Sequence, residues 1–315
     1  MQNRLRNIAY IYALLDQPGF GPVGVNKIIE RWAAFNLLDF ETTSGDLAIL
    51  DKIDAQAYKR SVETWIERLE HLREQNVGFI PVYDNRYPTK MKDLLGRSAP
   101  PVLSYIGNPD LLSAAAIGFC GSRQASPNGL DVASRTAYMV AKAGAVVVSG
   151  YARGVDLEAH AASVNANGKT ILVLAEGIAK FSFTKLKSKT KGFVNLDNVL
   201  VLSEFLPYDK WSVSRAMQRN KTIIALSKAL IVIEAGARGG TIEAGKIALK
   251  MGRPVFAAYY GEAGIAEGNR ILIGMGAHKF GKAPGTNSPN VPRILRILTQ
   301  DEYLTTTHDR LLWPL

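Results

Sequence analysis

The chain has 315 residues, of which 47% are hydrophobic and 21% are charged, which is the composition of an ordinary globular protein. A chain of this length forms one large domain or two domains with substantial cores. Lysine and arginine outnumber aspartate and glutamate by 38 to 28, so the formal net charge is +10. This charge suggests a polyanionic partner, although a surplus of lysine on a solvated surface is a common alternative.

The composition and the N-terminal sequence exclude several classes of protein. The single cysteine, Cys120, excludes an intramolecular disulfide and a cysteine-cluster metal site, and its apolar surroundings predict a buried structural thiol. No apolar run approaches the roughly 20 residues that span a bilayer, and the N-terminus lacks the uninterrupted apolar core of a signal peptide. We therefore expect a cytosolic protein without a membrane partner, a metal or a cofactor.

Residues 1–76 show helical patterns and no strand-like alternation, which predicts a small all-α N-terminal domain. Two of these patterns flank the turn Gly19-Phe20-Gly21, in an arrangement that resembles a helix-hairpin-helix or SAM-like domain. The backbone N–H groups of such a hairpin can hold a DNA phosphate, but hairpins of this kind also serve as packing turns. Pro22 lacks one N–H donor, which favours the packing interpretation.

Strand-like and helical patterns alternate from Ala114 onward, within a predicted core domain of residues 77–285. The strand-like runs are 116–120, 145–149, 170–175, 199–203, 229–234 and 254–258, and the helical patterns fall near 129–143, 155–167, 214–227 and 240–251. Continuous apolar strands joined by helices predict an α/β fold with a mostly parallel sheet covered on both faces. Residues 286–315 predict a short tail with one helix at 291–298.

Two of the predicted strands end abruptly in glycine and arginine before a helical pattern begins. The first corner is Gly-Ser-Arg at 121–123, and the second is Ser-Gly-Tyr-Ala-Arg-Gly at 149–154. Phosphate binding is favoured at such a corner by the outward-facing amides at the glycines, by the start of the helix and by the guanidinium of the arginine. One such corner is as typical of a tight turn as of a binding site, but two with arginines favour a shared anion-binding edge.

The segment 180–191 interleaves five lysines with Phe181 and Phe183. Lysine neutralises phosphate and phenylalanine stacks on bases, so this composition is typical of a loop that contacts single-stranded nucleic acid. A solvated flexible loop has a similar composition, and the two interpretations carry nearly equal weight.

On these motifs the chain resembles the DprA/Smf family, the DNA-processing proteins of bacterial transformation. The motifs that match run in order from about residue 80 to residue 280, and they comprise residues 87–88, 121–123, 149–156 with 159–160, 203–204, 218–227, 232–235, 248–255, 268–269, 272–273 and 276–277. The resemblance implies a Rossmann-like core that binds single-stranded DNA without catalysis, usually as a dimer, and helps to pass the strand to a RecA-type recombinase. We expect no counterpart of the C-terminal winged helix that many relatives have.

The resemblance and the two corners together give a candidate set of phosphate-binding residues, and no catalytic residue is predicted. The set is Gly121, Ser122, Arg123, Gly150, Arg153, Gly154, Lys180, Lys185, Lys187, Arg219, Asn220, Lys221, Gly239, Gly240 and Thr241. Two positions depart from the family pattern: Ala216 replaces a phenylalanine three positions before Arg219, and Leu226 replaces a glycine. Trp211 and Met217 are close in sequence, so a stacking surface is either rebuilt there or lost.

Four further polar residues near these motifs have structural interpretations. His160 lacks a nearby metal-binding partner or nucleophile, so a hydrogen-bonded packing role is favoured. Asp156 falls in the first turn of a predicted helix, whose dipole it complements. Glu204 and Glu234 follow strands at the phosphate edge, where we expect pairing with arginine because free carboxylates would weaken anion binding.

An alternative function comes from residues 236–244, which resemble the phosphate loop of the "lonely guy" nucleoside-monophosphate phosphoribohydrolases. The pattern of those enzymes, Pro-Gly-Gly-x-Gly-Thr-x-x-Glu, ends in a glutamate that acts on the N-glycosidic bond. In this chain the proline is missing, Ala244 occupies the glutamate position, and Glu243 is rotated by about 100° on the helix. The loop is still expected to bind phosphate, and the alternative is a protein that senses a free nucleotide or cleaves one.

Overall fold

The structure, a computed structural model, describes residues 2–34 and 53–299. Its N-terminal part contains the helices α1 (Gln2–Leu15), α2 (Pro22–Ala34) and α3 (Ala55–Glu74). In the turn between α1 and α2, Gly19 adopts a φ of +83°, which a residue with a Cβ disfavours. Pro22 is the first residue of α2, where its missing N–H costs no helical hydrogen bond. The predicted helical hairpin is confirmed, and residues 35–52, also predicted to be helical, lie outside the described residues.

A nine-stranded sheet follows. Its strands are β1 (Gly78–Pro81), β2 (Val102–Gly107), β3 (Ala116–Gly121), β4 (Val146–Ser149), β5 (Thr170–Val173), β6 (Val199–Ser203), β7 (Ala229–Ile233), β8 (Val255–Ala258) and β9 (His278–Phe280). They lie in the order β1-β2-β6-β5-β4-β3-β7-β8-β9. Strands β3 to β9 are parallel, whereas β2 is antiparallel to both β1 and β6.

The predicted Rossmann-like, mostly parallel sheet is confirmed, because the six predicted strands form β3 to β8. The sequence did not predict β1, β2 and β9. Strand β1 ends in a proline, β2 follows two prolines, and β9 has three residues, so none of them contains the long apolar run that identifies a buried parallel strand.

Helices cover both faces of the sheet. In chain order they are α4 (Thr89–Leu95), α5 (Pro127–Lys142), α6 (Val155–Asn165), α7 (Thr184–Lys187), α8 (Val213–Leu226), α9 (Gly240–Lys250), α10 (Glu267–Gly274) and α11 (Val291–Thr299). Helices α5, α6 and α11 pack on one face, and α4, α8, α9 and α10 pack on the other. The predicted helix at 291–298 is therefore present as α11, and residues 300–315 of the predicted tail lie outside the described residues.

Alternation along β3 shows how the two cores form. Ile117 and Phe119 face α5 and α6, where small residues such as Ala133 and Ala159 let the helices approach closely. Cys120 faces the opposite core, is buried, and has a thiol pKa raised by that burial. The prediction of a structural thiol is confirmed.

The N-terminal helices pack against the same sheet. Residues of α1 and α3 share one apolar cluster with Phe79 of β1 and Val102 of β2, and the rings of Tyr12 and Trp65 lie 5.2 Å apart within it. The buried side chain of Asn26 donates to the carbonyl of Ala99 at 2.7 Å, which ties α2 to the segment before β2. The division into domains at residue 77 stays a prediction. None of the described helices has the length and apolar character to cross a bilayer.

Candidate nucleic-acid interface

The order in which strands join the sheet reverses beside β3. The chain proceeds from β3 through β4, β5 and β6 on one side, and then adds β7, β8 and β9 on the other. The helices that follow β3 and β7 lie on opposite faces, so a crevice opens at the carboxyl ends of these strands. A cavity of about 590 Å³ occupies this crevice. It is lined by the end of β3, by Ala152 and Asp156, by the segments after β7 and before α8, and by residues of α8 and α9.

The first glycine–arginine corner forms the edge of the cavity next to β3. A Cβ at Gly121 would overlap the side chain of Val155 at the start of α6, so the close approach requires glycine. The Ser122 amide donates to the Ile233 carbonyl of β7 at 3.1 Å, and its hydroxyl accepts from an amide two residues on. Because Ser122 uses its polar groups internally, the exposed Arg123 is the charged group that this corner presents to the cavity.

The second corner, residues 149–154, packs against Arg219 and the first corner. A Cβ at Gly150 would overlap the guanidinium of Arg219, so glycine lets this arginine cross the end of β4. Gly154 precedes α6 with a φ of +79°, at a position where a Cβ would overlap the Ser122 carbonyl. Arg153 is exposed but lies outside the cavity lining. The glycines of this corner thus allow close packing against the first corner, and phosphate binding by Gly150, Arg153 and Gly154 stays a prediction.

A third glycine corner follows β7 and completes the cavity. Gly239 has a φ of +108° and immediately precedes α9, as Gly154 precedes α6. The Thr241 hydroxyl donates to the Gly121 carbonyl at 3.0 Å, which ties the third corner to the first. Arg238 is exposed and lines the cavity. Sequence reasoning missed Arg238, although strand, glycine, arginine and helix succeed one another here as they do at the first corner.

The loop that carries Arg238 is fixed from two sides. The fully buried side chain of Asn269 accepts from the Ala235 amide at 2.9 Å and donates to a carbonyl of β8 at 2.8 Å. On the other side, the Asn220 side chain donates to the Gly240 carbonyl at 3.3 Å. Asn220 and Gly240, both in the predicted set, therefore lie at the cavity and hold its walls together.

A buried ion pair lies beneath the exposed arginines. Arg219 is 7% exposed, and its guanidinium lies 3.8 Å from the carboxylate of Asp156. Burial raises the pKa of Asp156 and lowers the pKa of Arg219, and their mutual attraction opposes both shifts. The Nε of Arg219 has no hydrogen-bond partner among the described residues. Arg219 is therefore part of the cavity floor, and Asp156 balances its charge from below.

Neither strand-end glutamate forms a direct ion pair with arginine among the described residues, so the predicted direct pairing is not observed, although the nearby Arg219 attracts Glu204 electrostatically. Glu234, at a φ of +52°, accepts from the amide of Ser126 at 2.6 Å and from its hydroxyl, which holds the start of α5. Glu204 is buried and accepts from the hydroxyl of Thr222 and from Gln218. Burial raises the pKa of Glu204, and these neutral donors and nearby cations lower it. Each carboxylate instead accepts hydrogen bonds from an adjacent helix, Glu234 from Ser126 and Glu204 from Thr222.

His160 is fully buried on α6 and bonded at both ring nitrogens. Its Nε2 lies 2.6 Å from the carbonyl of Gly150, and its Nδ1 lies 2.7 Å from the hydroxyl of Thr170. Burial lowers the pKa of His160 to about 4, so the ring is neutral at pH 7. Its Nε2–H then donates to the Gly150 carbonyl, and the Thr170 hydroxyl beside Nδ1 donates to the Val147 carbonyl at 2.8 Å. His160 bonds to structural groups and does not line the cavity, in agreement with the predicted packing role.

Acidification is expected to destabilise the protein through His160. The unfolded imidazole takes up a proton near pH 6.5, whereas the pKa of about 4 keeps the folded one neutral. Between pH 4 and pH 6.5, the unfolded state therefore binds more protons than the folded state. The free energy of unfolding then decreases as the pH falls, by about 1.4 kcal/mol per pH unit. Urea unfolding at pH 7 and pH 5 should show a loss of about 2 kcal/mol from this residue.

A His160→Gln variant isolates this contribution, because the buried carboxyls of Asp156 and Glu204 are common to both proteins. The variant should be less stable at pH 7 and should lose less stability between pH 7 and pH 5 than the wild type. The same loss in both proteins would show that His160 does not carry the pH dependence.

The aromatic rings of the lysine-rich segment 180–191 pack against the protein. The ring centroids of Phe181 and Phe183 lie 4.6 Å apart, and Phe181 lies 5.3 Å from Tyr151. Both phenylalanines are half-buried against the core that contains the N-terminal helices. They do not present the open stacking faces that the sequence suggested.

The lysines of this segment remain on the surface, beyond the cavity lining. Lys180, Lys185 and Lys187 are exposed, and Lys185 lies 5.3 Å from the centroid of the Tyr151 ring. Lys189 forms an ion pair at 2.7 Å with a glutamate of α6. Because the segment follows β5, whose carboxyl end lies on the same sheet edge as those of β3 and β4, these lysines lie on the same side of the sheet as the cavity.

Lys221 faces a different space from Arg219. A groove of about 360 Å³ lies between the N-terminal hairpin and α8, and Pro22 and Lys221 are among the residues that line it. Met217 lines both this groove and the cavity, so the two spaces adjoin. Successive helical residues point about 100° apart, which is why the run 219–221 serves two surfaces.

The structure thus gathers part of the predicted set around the cavity and places the rest outside its lining. The gathered residues are Gly121, Ser122, Arg123, Arg219, Asn220, Gly240 and Thr241. Within residues 2–34 and 53–299, no three His, Cys, Asp or Glu side chains are grouped to hold a metal ion.

The fold and the cavity define a Rossmann-like protein with an arginine-lined crevice at its switch point. Residues 78–285 match the family described as DNA recombination-mediator protein A, and the chain belongs to this family. The DNA processing protein DprA of Bacillus subtilis is 32% identical over 235 residues, which cover 73% of this chain and 78% of that protein. DprA of Streptococcus pneumoniae is 33% identical over 176 residues, which cover 56% of this chain and 61% of that protein.

Solved structures of relatives have the same fold. The X-ray structure of DprA from Streptococcus pneumoniae superposes with a TM-score of 0.72 at 27% identity, over 91% of this chain and 97% of that chain. The structure of DprA from Helicobacter pylori superposes with a TM-score of 0.58 at 24% identity, over 71% of this chain and 95% of that chain. The resemblance stated from the sequence motifs is confirmed.

Proposed function

We propose that this chain binds single-stranded DNA, protects it and helps to load a RecA-type recombinase onto it. The observation that carries the proposal is the pair of exposed arginines, Arg123 and Arg238, which face one cavity from two glycine corners. Each guanidinium offers a planar fork of donors that suits a phosphate. The family's description as a recombination mediator supports the proposal, as does the single-stranded DNA binding mode described for the Helicobacter pylori relative.

The surroundings of the cavity suit a strand that continues beyond one nucleotide. Exposed lysines at 180, 185 and 187 extend the positive charge along the same sheet edge. Binding of single strands needs a positive groove and aromatic faces, and it needs no catalytic group. The net charge of +10 also has the sign that attracts a polyanion from a distance.

The proposal predicts that affinity rises with strand length and falls steeply with salt. Fluorescence anisotropy with labelled oligo-dT of increasing length should show at least about a tenfold gain in affinity between about 5 and 20 nucleotides, because more phosphates are neutralised. A plot of log affinity against log salt should have a slope near −0.7 for each phosphate contacted, or about −2 for three. Equal affinity for thymidine monophosphate and oligo-dT would contradict the proposal.

Two further parts of the proposal concern assembly. We propose that the chain acts as a homodimer, which static light scattering tests through the molar mass in solution. The loading role is tested by the rate at which a RecA-type recombinase forms filaments on single-stranded DNA. The protein should raise this rate, and an unchanged rate would restrict the proposed function to strand binding.

A nucleotide-binding function is the second candidate, because a cavity of about 590 Å³ has the size of a small-molecule site. Cleavage of a nucleotide is disfavoured by the buried Ala244 at the glutamate position and by Glu243, which pairs with Lys246 at 2.9 Å. Calorimetry separates the two candidates. Micromolar binding of one mononucleotide, without a gain from longer strands, would favour the nucleotide site, and chromatographic detection of free base would establish hydrolysis.

A further inference from the structure

Trp211 is an open aromatic side chain at the mouth of the cavity. It lies between β6 and α8, lines the cavity and is 47% exposed. The guanidinium carbon of Arg123 lies 5.2 Å from the centroid of one of its rings. Val213, which also lines the cavity, is 67% exposed. Exposed apolar side chains rimmed by charged groups mark interaction sites.

The backbone around Trp211 is held in place on both sides. Before it, the Asp209 carbonyl accepts from the Gly177 amide at 2.9 Å, and the Asp209 carboxylate pairs with Arg215 at 3.0 Å. After it, the hydroxyl of Ser212 accepts from the Arg215 amide at 3.1 Å and caps α8. The indole is therefore presented by an ordered segment, so a ligand that uses it pays little entropy of loop ordering.

No other aromatic side chain among the described residues lines this cavity. Ala216, one turn into α8, also lines the cavity, and its side chain is only a methyl group. Phe181 and Phe183 are packed against the core, as described above. A nucleobase that enters the cavity can therefore stack only on Trp211 among the aromatic side chains of the described residues.

We propose that Trp211 is a nucleobase-stacking site, on which one base of the bound strand lies while Arg123 and Arg238 hold neighbouring phosphates. This inference rests on the proposed binding of single-stranded DNA and names the residue that recognises a base within it. Because every base has a π-face, the site accepts all four bases and adds affinity without a sequence requirement. Its ligand class is the base of a polynucleotide, rather than the sugar-phosphate chain that the arginines contact.

The test compares oligo-dT with an oligonucleotide of equal length built from abasic residues. Wild-type protein should prefer oligo-dT, and Trp211→Ala should lower the affinity for oligo-dT by about 5- to 150-fold, the range for one stacked base. The same variant should bind the abasic strand within about twofold of the wild type, because its phosphate contacts are intact. Trp211→Phe, which keeps an aromatic face, should retain most of the preference for oligo-dT.

A Tyr208→Ala variant is the matched control, because Tyr208 is a 39% exposed aromatic residue nearby in sequence that does not line the cavity. It should bind both strands as the wild type does. If Trp211→Ala keeps the wild-type preference for oligo-dT over the abasic strand, the stacking site is wrong while DNA binding stands. If the wild type binds neither strand, the proposed function and this inference both fail.

Discussion

Replacing Arg219 by alanine is expected to lower the free energy of unfolding by about 3–5 kcal/mol at pH 7, which is the usual cost of leaving one partner of a buried ion pair alone. The guanidinium lies 3.8 Å from Asp156, and its charge also lowers the pKa of the buried Glu204. Without Arg219, the buried Asp156 loses its cation, so the pKa of that carboxyl rises further. Urea denaturation at pH 7 measures the loss.

Lys221→Ala is the control for this measurement, because Lys221 is an exposed cation two residues further along α8. Exposed substitutions of this kind change stability by no more than about 0.5 kcal/mol. The double variant Arg219→Met/Asp156→Asn should recover part of the loss, since it removes both charges. A stability of Arg219→Ala within 1 kcal/mol of the wild type would show that the ion pair does not stabilise the site.

Reversing the charges of the two exposed cavity arginines, in Arg123→Glu/Arg238→Glu, is expected to weaken oligo-dT binding by at least about 100-fold at about 0.1 M salt. Each charge-assisted hydrogen bond contributes about 1.5–3 kcal/mol, and the introduced carboxylates add repulsion of phosphate. The melting temperature should fall only slightly, because both arginines are exposed and Arg123 attracts the buried Asp156 only as one of several stabilising neighbours. Fluorescence anisotropy and thermal unfolding provide the two readouts.

The double variant Arg60→Glu/Arg73→Glu changes the net charge by the same amount on α3, away from the cavity lining. It should lower the affinity only by the loss of long-range attraction, a few-fold at this salt. Comparable losses in the two double variants would mean that overall charge, rather than the cavity, determines binding. Single substitutions then apportion the effect, with Arg123→Ala expected to weaken oligo-dT binding severely on its own.

The sheet was predictable because its inner strands are buried on both faces. Strands β3 to β8 consist almost entirely of apolar residues, and a chain segment of that kind has few alternatives to the centre of a parallel sheet. Strands β1, β2 and β9 lie at or near the sheet edges, where short segments and prolines are tolerated. Their positions follow from tertiary packing, which no local pattern encodes.

The site was predictable where a backbone requirement fixes the residue type. Gly121, Gly150 and Gly154 each occupy a position where a Cβ would overlap a neighbour, and all three were identified from the strand-to-helix corners. The direction of a side chain is a different matter. Nothing in the sequence distinguishes the exposed Arg123 from the buried Arg219, because burial depends on which face of α8 meets the sheet.

Side-chain direction also explains why the partners of Glu204 and Glu234 were not predicted. We expected arginine partners because free carboxylates at the phosphate edge would weaken anion binding, but Glu234 bonds to Ser126, which is distant in sequence and adjacent only in the fold. Arg238, by contrast, was within reach of sequence reasoning. The rule that identified the first corner applies equally to the residues after β7, and its consistent use would have included this arginine.

Asn269 holds the start of the third corner from inside the protein, so we expect this corner to receive a ligand without a large rearrangement. On the proposed function, we expect capture of a strand to be governed by diffusion and by electrostatic attraction, rather than by a slow conformational step in the loop that carries Arg238. Differences in affinity among DNA strands should accordingly lie in the dissociation rate constant.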